Sequence, residues 1–379
     1  MNIVATMSSL AIGGGAERVM ARLLTHWAKL GRNTTLITLS QRSDDWYRIP
    51  NDVKVITLGL AKPSTSPLNS LVNNWRRVRS LRDAICDASP HVVVAFIDTM
   101  NVLTLLATRG LGVRTVVSER TTPFGHDPGR SWRLARTIAY YWADAIVVQT
   151  EAVRIALGRT WGSRAVVIPN PVPSVEDFDE GANDLAGREH EILRCVGGAP
   201  FVVAVGRLSH EKGFDLLMAA FARLELTSPD WRLVILGDGG DRAELVQLAR
   251  RLGIYERVLM PGRVAHPQAI MRRASLYVLS SRYEGFPNTL LEAMACGLPC
   301  VSFDCPSGPR EIIRDGVDGI LVPPENVPAL ADAMIKLMTR PEFTEKLTVQ
   351  ARGVTDRFGM QKVMGMWDAV LEGAHGREP

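Results

Sequence analysis

Thirteen short apolar runs alternate with helical stretches along this chain, and their two-sided character most constrains what it can fold into. In the first half they read Asn2–Met7, Thr34–Leu39, Val53–Thr57, His91–Ile97, Arg114–Ser118, Ala145–Gln149 and Ala165–Ile168. In the second half they read Phe201–Val205, Arg232–Leu236, Val258–Met260, Leu276–Leu279, Pro299–Phe303 and Gly319–Val322. Val and Ile dominate them without polar alternation, so both faces of each strand are buried, as in a parallel sheet covered by helices on both sides. Helical patterns lie between them: Arg18–Leu30, with Val19, Leu23, Leu24 and Trp27 on one face, then Asp215–Leu226, Arg242–Leu252, Thr289–Cys296 and Val327–Met338. Strand and helix in regular turn predict an α/β chain with doubly wound sheets.

The series is interrupted once. Pro169-Asn170-Pro171-Val172-Pro173 precedes an acidic, Gly-containing stretch from Val175 to Arg188, which reads as an interdomain linker and surface excursion. The length of 379 residues likewise favours two domains of roughly 150–200 residues each. The expected architecture is two tandem α/β domains, 1–169 and 170–359, with a cleft between them.

Hydrophobic residues are 46% and charged residues 22% of the chain, which excludes a disordered or fibrous protein. No apolar run approaches the ~18 residues of a spanning helix. The opening residues lack the basic stretch of a secretory signal. Cys86, Cys195, Cys296, Cys300 and Cys305 are odd in number and lack C-x-x-C pairing, so they read as thiols in a reducing compartment. The net charge of +4 hides an asymmetry: residues 1–169 carry 21 Lys and Arg against 11 Asp and Glu, residues 170–379 carry 23 against 29. A strongly basic half suits an anionic partner. Nucleic acid is not expected, because no recognition motif is present and aromatics are not interleaved with the cations.

Ligands of doubly wound domains sit beyond the carboxyl ends of the strands, so the loops there are the candidates. The first is Ala11-Ile12-Gly13-Gly14-Gly15-Ala16-Glu17-Arg18. It is either a plain tight turn or a glycine-lined approach to a helix N-terminus that favours an anion. It departs from G-x-G-x-x-G and so does not indicate a nicotinamide cofactor. The second, Gly206-Arg207-Leu208-Ser209-His210-Glu211-Lys212-Gly213, sets an Arg fork and a Lys charge on one loop. Such a pair suits a diphosphate, unless the charges are simply solvated. The third runs Tyr283-Glu284-Gly285-Phe286-Pro287-Asn288-Thr289-Leu290-Leu291-Glu292. Pro287 marks a helix start, and the amides of Asn288, Thr289 and Leu290 offer a second anion site. Glu292 is placed either to accept from ribose hydroxyls or to complete a capping box with Thr289. Glu284 has no such local explanation.

Glu284 and Glu292 in Glu-x7-Glu spacing, Arg207 and Lys212, the Gly-Gly-Ala-Glu-Arg turn and Ile168-Pro169-Asn170-Pro171-Val172 together resemble family 4 glycosyltransferases, retaining enzymes of the GT-B fold with two Rossmann-like domains. The resemblance spans nearly the whole chain. It implies that Arg207 and Lys212 neutralise the leaving diphosphate of a nucleotide sugar, assisted by the Asn288, Thr289 and Leu290 amides. It further implies that Glu292 holds the ribose, that Glu284 contacts the donor sugar within a loop that includes Phe286, and that Gly262-Arg263-Val264 meets the base. The loop of Gly13, Gly14 and Gly15 would close over phosphate and acceptor, and segment 360–379 would rejoin the first domain. Fixed cations and helix dipoles then stabilise the leaving group without a metal. The nominal Asp-x-Asp at Asp177 and Asp179 lies in the linker and is not read as a metal site. A front-face mechanism is implied, in which the leaving phosphate helps to deprotonate the acceptor.

On the acceptor side Ser118-Glu119-Arg120-Thr121-Thr122-Pro123 stands where many relatives carry a His. Arg120 is expected to bind an acceptor phosphate and Glu119 to orient a hydroxyl, with His126 either structural or part of the site. The run resembles the subset that elongates polyprenyl-diphosphate-linked glycans and exopolysaccharide repeat units, and that subset implies a UDP-sugar donor. Residues 68–85 read as an amphipathic helix with Leu68, Leu71, Val72, Trp75, Val78, Leu81 and Ile85 on one side. With Arg76, Arg77, Arg79 and Arg82 it either lies at an anionic membrane surface or packs on the sheet with solvated arginines. The expected protein is a peripheral enzyme of the cytoplasmic membrane face, transferring a sugar to a lipid-linked saccharide. A soluble transferase with a small acceptor, a GT-B-like sugar-nucleotide epimerase and a nucleotide-sugar binding module are the alternatives.

Overall fold

The computed structural model describes residues 1–10, 14–41, 47, 49–61, 66–120, 129–174, 187–225 and 227–373. Gly13, Pro123, His126, Asp177, Asp179 and most of the expected linker lie outside the described residues. The chain forms two compact units: Met1–Asn170 joined by the chain from Val363 onward, and Pro171–Lys362.

The first unit carries β1 (Asn2–Met7), β2 (Asn33–Thr38), β3 (Lys54–Thr57), β4 (Val92–Phe96), β5 (Arg114–Ser118), β6 (Ala145–Val148) and β7 (Ala165–Val167). They form a 7-stranded parallel sheet in the order β3-β2-β1-β4-β5-β6-β7. Each run agrees with its sequence expectation to within a residue or two. The winding reverses between β1 and β4. Because crossovers in parallel sheets are right-handed, the helix Gly15–Lys29 covers one face, and the helices Pro67–Ala88, Asp98–Thr108 and Arg130–Ala139 cover the other. Leu81, Ala84 and Ile85 of the first of these three, with Met100 and Leu103 of the second, share a buried cluster with Val4, Ile37 and Val93 of the sheet.

The last helix, Met360–Leu371, is tied to this unit from Val363 onward. Trp367 is fully buried, with its ring 5.6 Å from Phe96. Asp368 pairs with His26 Nε2 at 2.8 Å and Arg32 Nη1 at 2.6 Å, and Arg114 Nη2 donates to the Val370 carbonyl at 3.1 Å.

The helix Pro67–Ala88 corrects the expected amphipathic face. Its C-terminal half buries Leu81, Ala84 and Ile85, while Leu71, Val72 and Trp75 are 70%, 49% and 60% exposed. The arginines divide too. Arg77 Nε donates to the Leu60 carbonyl at 2.9 Å, and Arg82 Nη1 donates to those of Ala107 and Arg109 at 2.8 Å each. These two guanidiniums are spent on backbone, so of the four only Arg76 and Arg79 stand exposed.

Beyond β5, Glu119 and Arg120 also turn inward, contrary to a direct contact with an acceptor. Glu119 is 3% exposed, receives the Tyr140 hydroxyl and pairs with Arg136 Nη1 at 3.3 Å. Asn101 Nδ2 donates to Tyr140 Oη and to the Ser118 carbonyl, both at 3.0 Å. Burial pushes the Glu119 carboxyl up to about 7, against the pull of Arg136 and with the push of Asp98. The Arg120 guanidinium lies 4.2 Å from the Phe96 ring and 5.5 Å from Trp367, and its Nη1 donates to Asn170 Oδ1 at 2.6 Å. Burial pushes it down to about 9. Asn170 Oδ1 also receives Gln149 Nε2 at 2.8 Å, so the expected junction motif is anchored to the first unit.

The second unit carries β8 (Phe201–Val205), β9 (Arg232–Leu236), β10 (Val258–Gly262), β11 (Leu276–Leu279), β12 (Cys300–Phe303) and β13 (Ile320–Val322) in a 6-stranded parallel sheet, order β10-β9-β8-β11-β12-β13. Its winding reverses between β8 and β11. A helix at Arg188–Val196, starting where the expected acidic stretch ends, packs Ile192 and Val196 into this unit's core. The five cysteines are free thiols.

The Glu119 carboxyl yields a pH prediction. A carboxyl with a raised folded-state value holds a proton that the unfolded chain has lost, so its ionisation destabilises the fold as pH climbs from about 4.5 to about 7. Relative to Glu119→Gln, the parent should gain stability as pH falls from 8 to 5, by roughly 1–3 kcal/mol. Chemical denaturation of both proteins across that range checks it; a difference independent of pH would mean the carboxylate is ionised throughout.

Candidate functional site

In a doubly wound sheet the loops at the winding reversal splay apart and leave a crevice. In the second unit these loops follow β8 and β11, which are neighbours in the sheet. They hold Lys212 and Glu284. Lys212 Nζ donates to Glu284 Oε1 at 2.8 Å, and Ser281 Oγ donates to the same oxygen at 2.6 Å. Both charged side chains are mostly buried, at 20% and 10% exposure.

Backbone packing explains how they meet. Gly213 has φ +60°, and a Cβ there would stand 2.0 Å from the Ser280 carbonyl oxygen. Only glycine allows that approach without displacement. Ser280 Oγ in turn donates to the Lys212 carbonyl at 2.9 Å. Arg282 clamps the two loops: Nη1 donates to the His210 carbonyl at 2.7 Å, and the guanidinium bridges Asp215 at 2.6 and 2.9 Å and Glu325 at 3.1 Å. The loop after β9 closes on the same loop, since a Cβ at Gly237 would stand 1.8 Å from the Gly206 oxygen.

Arg207 is more loosely held. Its Nη2 donates to Glu211 Oε1 at 2.6 Å, and its side chain is 62% exposed. A surface pair of this kind is worth about 0–1 kcal/mol, so Glu211 holds Arg207 only weakly.

The helix Asn288–Ala295 begins beside Glu284 with Pro287 at its N-cap, and no side chain caps it. The capping-box alternative is therefore not realised: Thr289 Oγ1 bonds Tyr277 Oη at 2.7 Å, and Glu292 accepts Gln268 Nε2 at 2.8 Å. Glu292 is 1% exposed. Of the three amides expected to hold an anion, that of Leu290 already donates to the Pro287 carbonyl at 3.2 Å, which corrects its assignment. Phe286 is corrected as well. It is 6% exposed, packs its ring on Phe358 at 5.6 Å and belongs to the core, so the side chain sets the loop and does not face a ligand.

Beyond β10, Gly262 has φ +93°, Arg263 is exposed and Val264 is partly buried. Arg242 donates both Nη atoms to the Met260 carbonyl at 3.0 and 3.1 Å, and Arg188 Nη2 donates to that of Pro261 at 2.6 Å. These contacts fix the turn that presents Arg263. In the first unit Gly14 is the N-cap of Gly15–Lys29 with extended backbone, and its carbonyl accepts Tyr47 Oη at 3.3 Å. A Cβ at Gly14 would stand 2.5 Å from Glu17 Oε2, the movable end of that side chain.

Two features escaped the sequence reading. After β12, Ser307 adopts φ 66° and donates Oγ to the Gly285 carbonyl at 3.1 Å, while a Cβ at Gly308 would stand 2.8 Å from Pro287 Cδ. The Ser-Gly-Pro triplet following a strand was the available signal. In the first unit Ile97, at the winding reversal, has φ 76°. A β-branched residue held there costs on the order of 1–3 kcal/mol and nothing local in the sequence announces it. Among the described residues no group of three or more His, Cys, Asp or Glu is placed to hold a metal ion.

Comparison with known proteins follows this geometry. The family described as "Glycosyl transferases group 1" matches residues 187–354, and "Glycosyl transferase 4-like domain" matches residues 14–171. The chain is 26% identical over 366 residues to a Campylobacter jejuni enzyme named GalNAc-alpha-(1->4)-GalNAc-alpha-(1->3)-diNAcBac-PP-undecaprenol alpha-1,4-N-acetyl-D-galactosaminyltransferase, covering 96% of each chain. It is 30% identical over 287 residues to alpha-D-kanosaminyltransferase of Streptomyces kanamyceticus, covering 73% of this chain and 72% of that one. The solved structure of Anabaena Alr3699/HepE in complex with UDP-glucose overlays with a TM-score of 0.79 at 21% identity, covering 98% of this chain and 100% of that one. With one family description on each unit and this fold beneath both, the chain belongs to the family 4 glycosyltransferases of the GT-B class.

Proposed function

We propose that the protein transfers a sugar from a UDP-sugar to a polyprenyl-diphosphate-linked saccharide, with retention of anomeric configuration and without a metal ion. The observation that carries this reading is the Lys212–Glu284 pair at the winding reversal of the second sheet, beside a helix N-terminus. Negative charge develops on the leaving diphosphate as the sugar C1–O bond breaks. Lys212, Arg207 and the amide of Thr289 stand ready to stabilise it, so fixed positive groups do the work a metal would otherwise do. Glu284, held by Lys212 and Ser281, takes sugar hydroxyls, and Glu292, buried against Gln268, takes the ribose by releasing that amide. In a front-face reaction the acceptor oxygen bonds to C1 as the phosphate leaves from the same side. The acceptor proton passes to a phosphate oxygen, and UDP departs.

The acceptor class rests on the Campylobacter relative, whose name specifies an undecaprenyl-diphosphate-linked substrate. The UDP-sugar finds support in the UDP-glucose complex of the HepE neighbour. The exposed Leu71, Val72 and Trp75 with Arg76 and Arg79 suit peripheral contact with an anionic membrane. Among the described residues no helix is long and apolar enough to cross one. A donor made in the cytoplasm and five free thiols favour the inner face.

A donor screen tests the reading. With UDP-Glc, UDP-Gal, UDP-GlcNAc, UDP-GalNAc and GDP-Man, nucleotide release should occur from one UDP-sugar and only with the lipid-linked acceptor. Release from GDP-Man alone would overturn the donor assignment. Activity should persist in EDTA; a strict divalent requirement would contradict the metal-free site. Lys212→Ala should lower kcat/KM by roughly 10²–10³, measured below its own melting temperature, because the charge matters most as the diphosphate leaves. Near-parental turnover would remove Lys212 from the mechanism.

A further inference from the structure

The helix Arg130–Ala139 exposes apolar side chains for which the transfer chemistry has no use. Leu134 is 63% and Ile138 51% exposed, and Tyr141, in the turn that follows, is 61% exposed. Spacings of four and three residues align them as one stripe. The helix has a separate inner side: Trp132 and Ala135 pack on buried clusters, and Arg136 reaches Glu119. The stripe is thus an outer face. It ends at Tyr141, whose ring meets Trp161 edge-on at 4.4 Å. Contiguous exposed apolar surface of this kind marks a contact site.

Charge selects the occupant. Residues 129–142 hold Arg130, Arg133 and Arg136 and no acidic residue. Arg133 and Arg159 are exposed. Among the described residues Glu151 is engaged by Arg154 at 2.5 Å and Asp144 by the Thr115 amide at 2.8 Å. An apolar stripe that ends in Tyr and Trp and is rimmed by arginine has the composition that settles into an anionic lipid interface. Geometry points the same way. Pro67–Ala88, on the same helical layer, carries its own exposed stripe of Leu71, Val72 and Trp75 with Arg76 and Arg79. The helix between them, Asp98–Thr108, is almost wholly buried. Both exposed stripes thus belong to the one helical layer that covers this face of the sheet.

We propose that Leu134, Ile138 and Tyr141 form a second membrane footprint, which docks on an anionic bilayer beside the Leu71–Trp75 footprint. A single footprint leaves the first unit free to roll about one helix. A second one fixes the roll, and with it the direction in which the carboxyl ends of β4 and β5 face the surface.

The test is flotation with vesicles of phosphatidylcholine containing phosphatidylglycerol, and with phosphatidylcholine alone, with no donor or acceptor present. A result here is therefore separable from the fate of the proposed reaction. Leu134→Ser/Ile138→Ser/Tyr141→Ser should lower partition onto the anionic vesicles about tenfold or more. Since all three side chains are exposed and only the Tyr141–Trp161 contact is lost, its melting temperature should fall by only a few degrees. Arg133→Glu, which leaves the apolar stripe intact, should weaken binding at low salt and lose that effect at high salt. Undiminished partition of both variants would overturn the proposal. So would a parent that self-associates through this face, with the triple variant losing self-association and keeping its vesicle binding.

Discussion

The second unit of this protein depends on one close approach, that of Gly213 to the Ser280 carbonyl oxygen. The two loops belong to β8 and β11, which lie side by side and end at the same edge of the sheet. Adjacent strands bring loops near one another, but a Cβ at 2.0 Å from that oxygen would hold them apart. With glycine there, the residue before it is Lys212, and its ammonium reaches Glu284. Arg282 secures the arrangement by holding the 210 carbonyl, Asp215 and Glu325 at once. The order of causes is strand order, glycine, ion pair. The charged pair is the consequence of the packing, and the chemistry is the consequence of the pair.

The same loop contrasts two kinds of cation. Lys212 is mostly buried and fixed by a partner that also serves the site. Arg207 is exposed and held by a neighbour four residues away. The first is already in place when substrate arrives and has little entropy left to lose. The second has only a weak pair to give up. In the proposed reaction a diphosphate would therefore meet one rigid and one adaptable donor. This division suits a group whose charge is spread over two phosphates.

Sheet strands were legible because burial on both faces leaves an uninterrupted Val and Ile signature, which survives without tertiary information. The glycine-bearing loops were legible because they follow such strands. Their side chains' partners were not. Phe286 sits within a loop of ligand-like residues, yet Phe358, some seventy residues on, makes it core. The Leu290 amide lies at a helix start, yet the Pro287 carbonyl takes it. Glu292 and Thr289 have capping-box spacing, yet Gln268 and Tyr277 claim them. Phe286, Thr289 and Glu292 were claimed by partners distant in sequence, and the Leu290 amide by a local closure of the first helical turn. The helix Arg130–Ala139 failed to stand out for the opposite reason: its exposed stripe looks, in sequence, like the buried side of any domain helix.

The charge of the first half shows most clearly how composition and surface differ. The excess of arginine over acid in residues 1–169 suggests a uniformly basic face. The structure spends much of it indoors: Arg77 and Arg82 on carbonyls, Arg114 on Val370, Arg164 on the carbonyls of Tyr140 and Ala143, Arg120 between two rings, and Arg32 on the closing helix. Arginine's planar fork makes it suited to such internal bracing. The cations left on the covering layer, Arg76, Arg79 and Arg133 among them, lie beside exposed apolar side chains and not in a patch of their own. A basic surface without apolar stripes would attract an anionic bilayer yet leave the protein free to slide and turn. Apolar stripes without the cations would be slow to find it. Their interleaving on two helices of one layer is what would give the first unit both attraction and a fixed attitude at the surface.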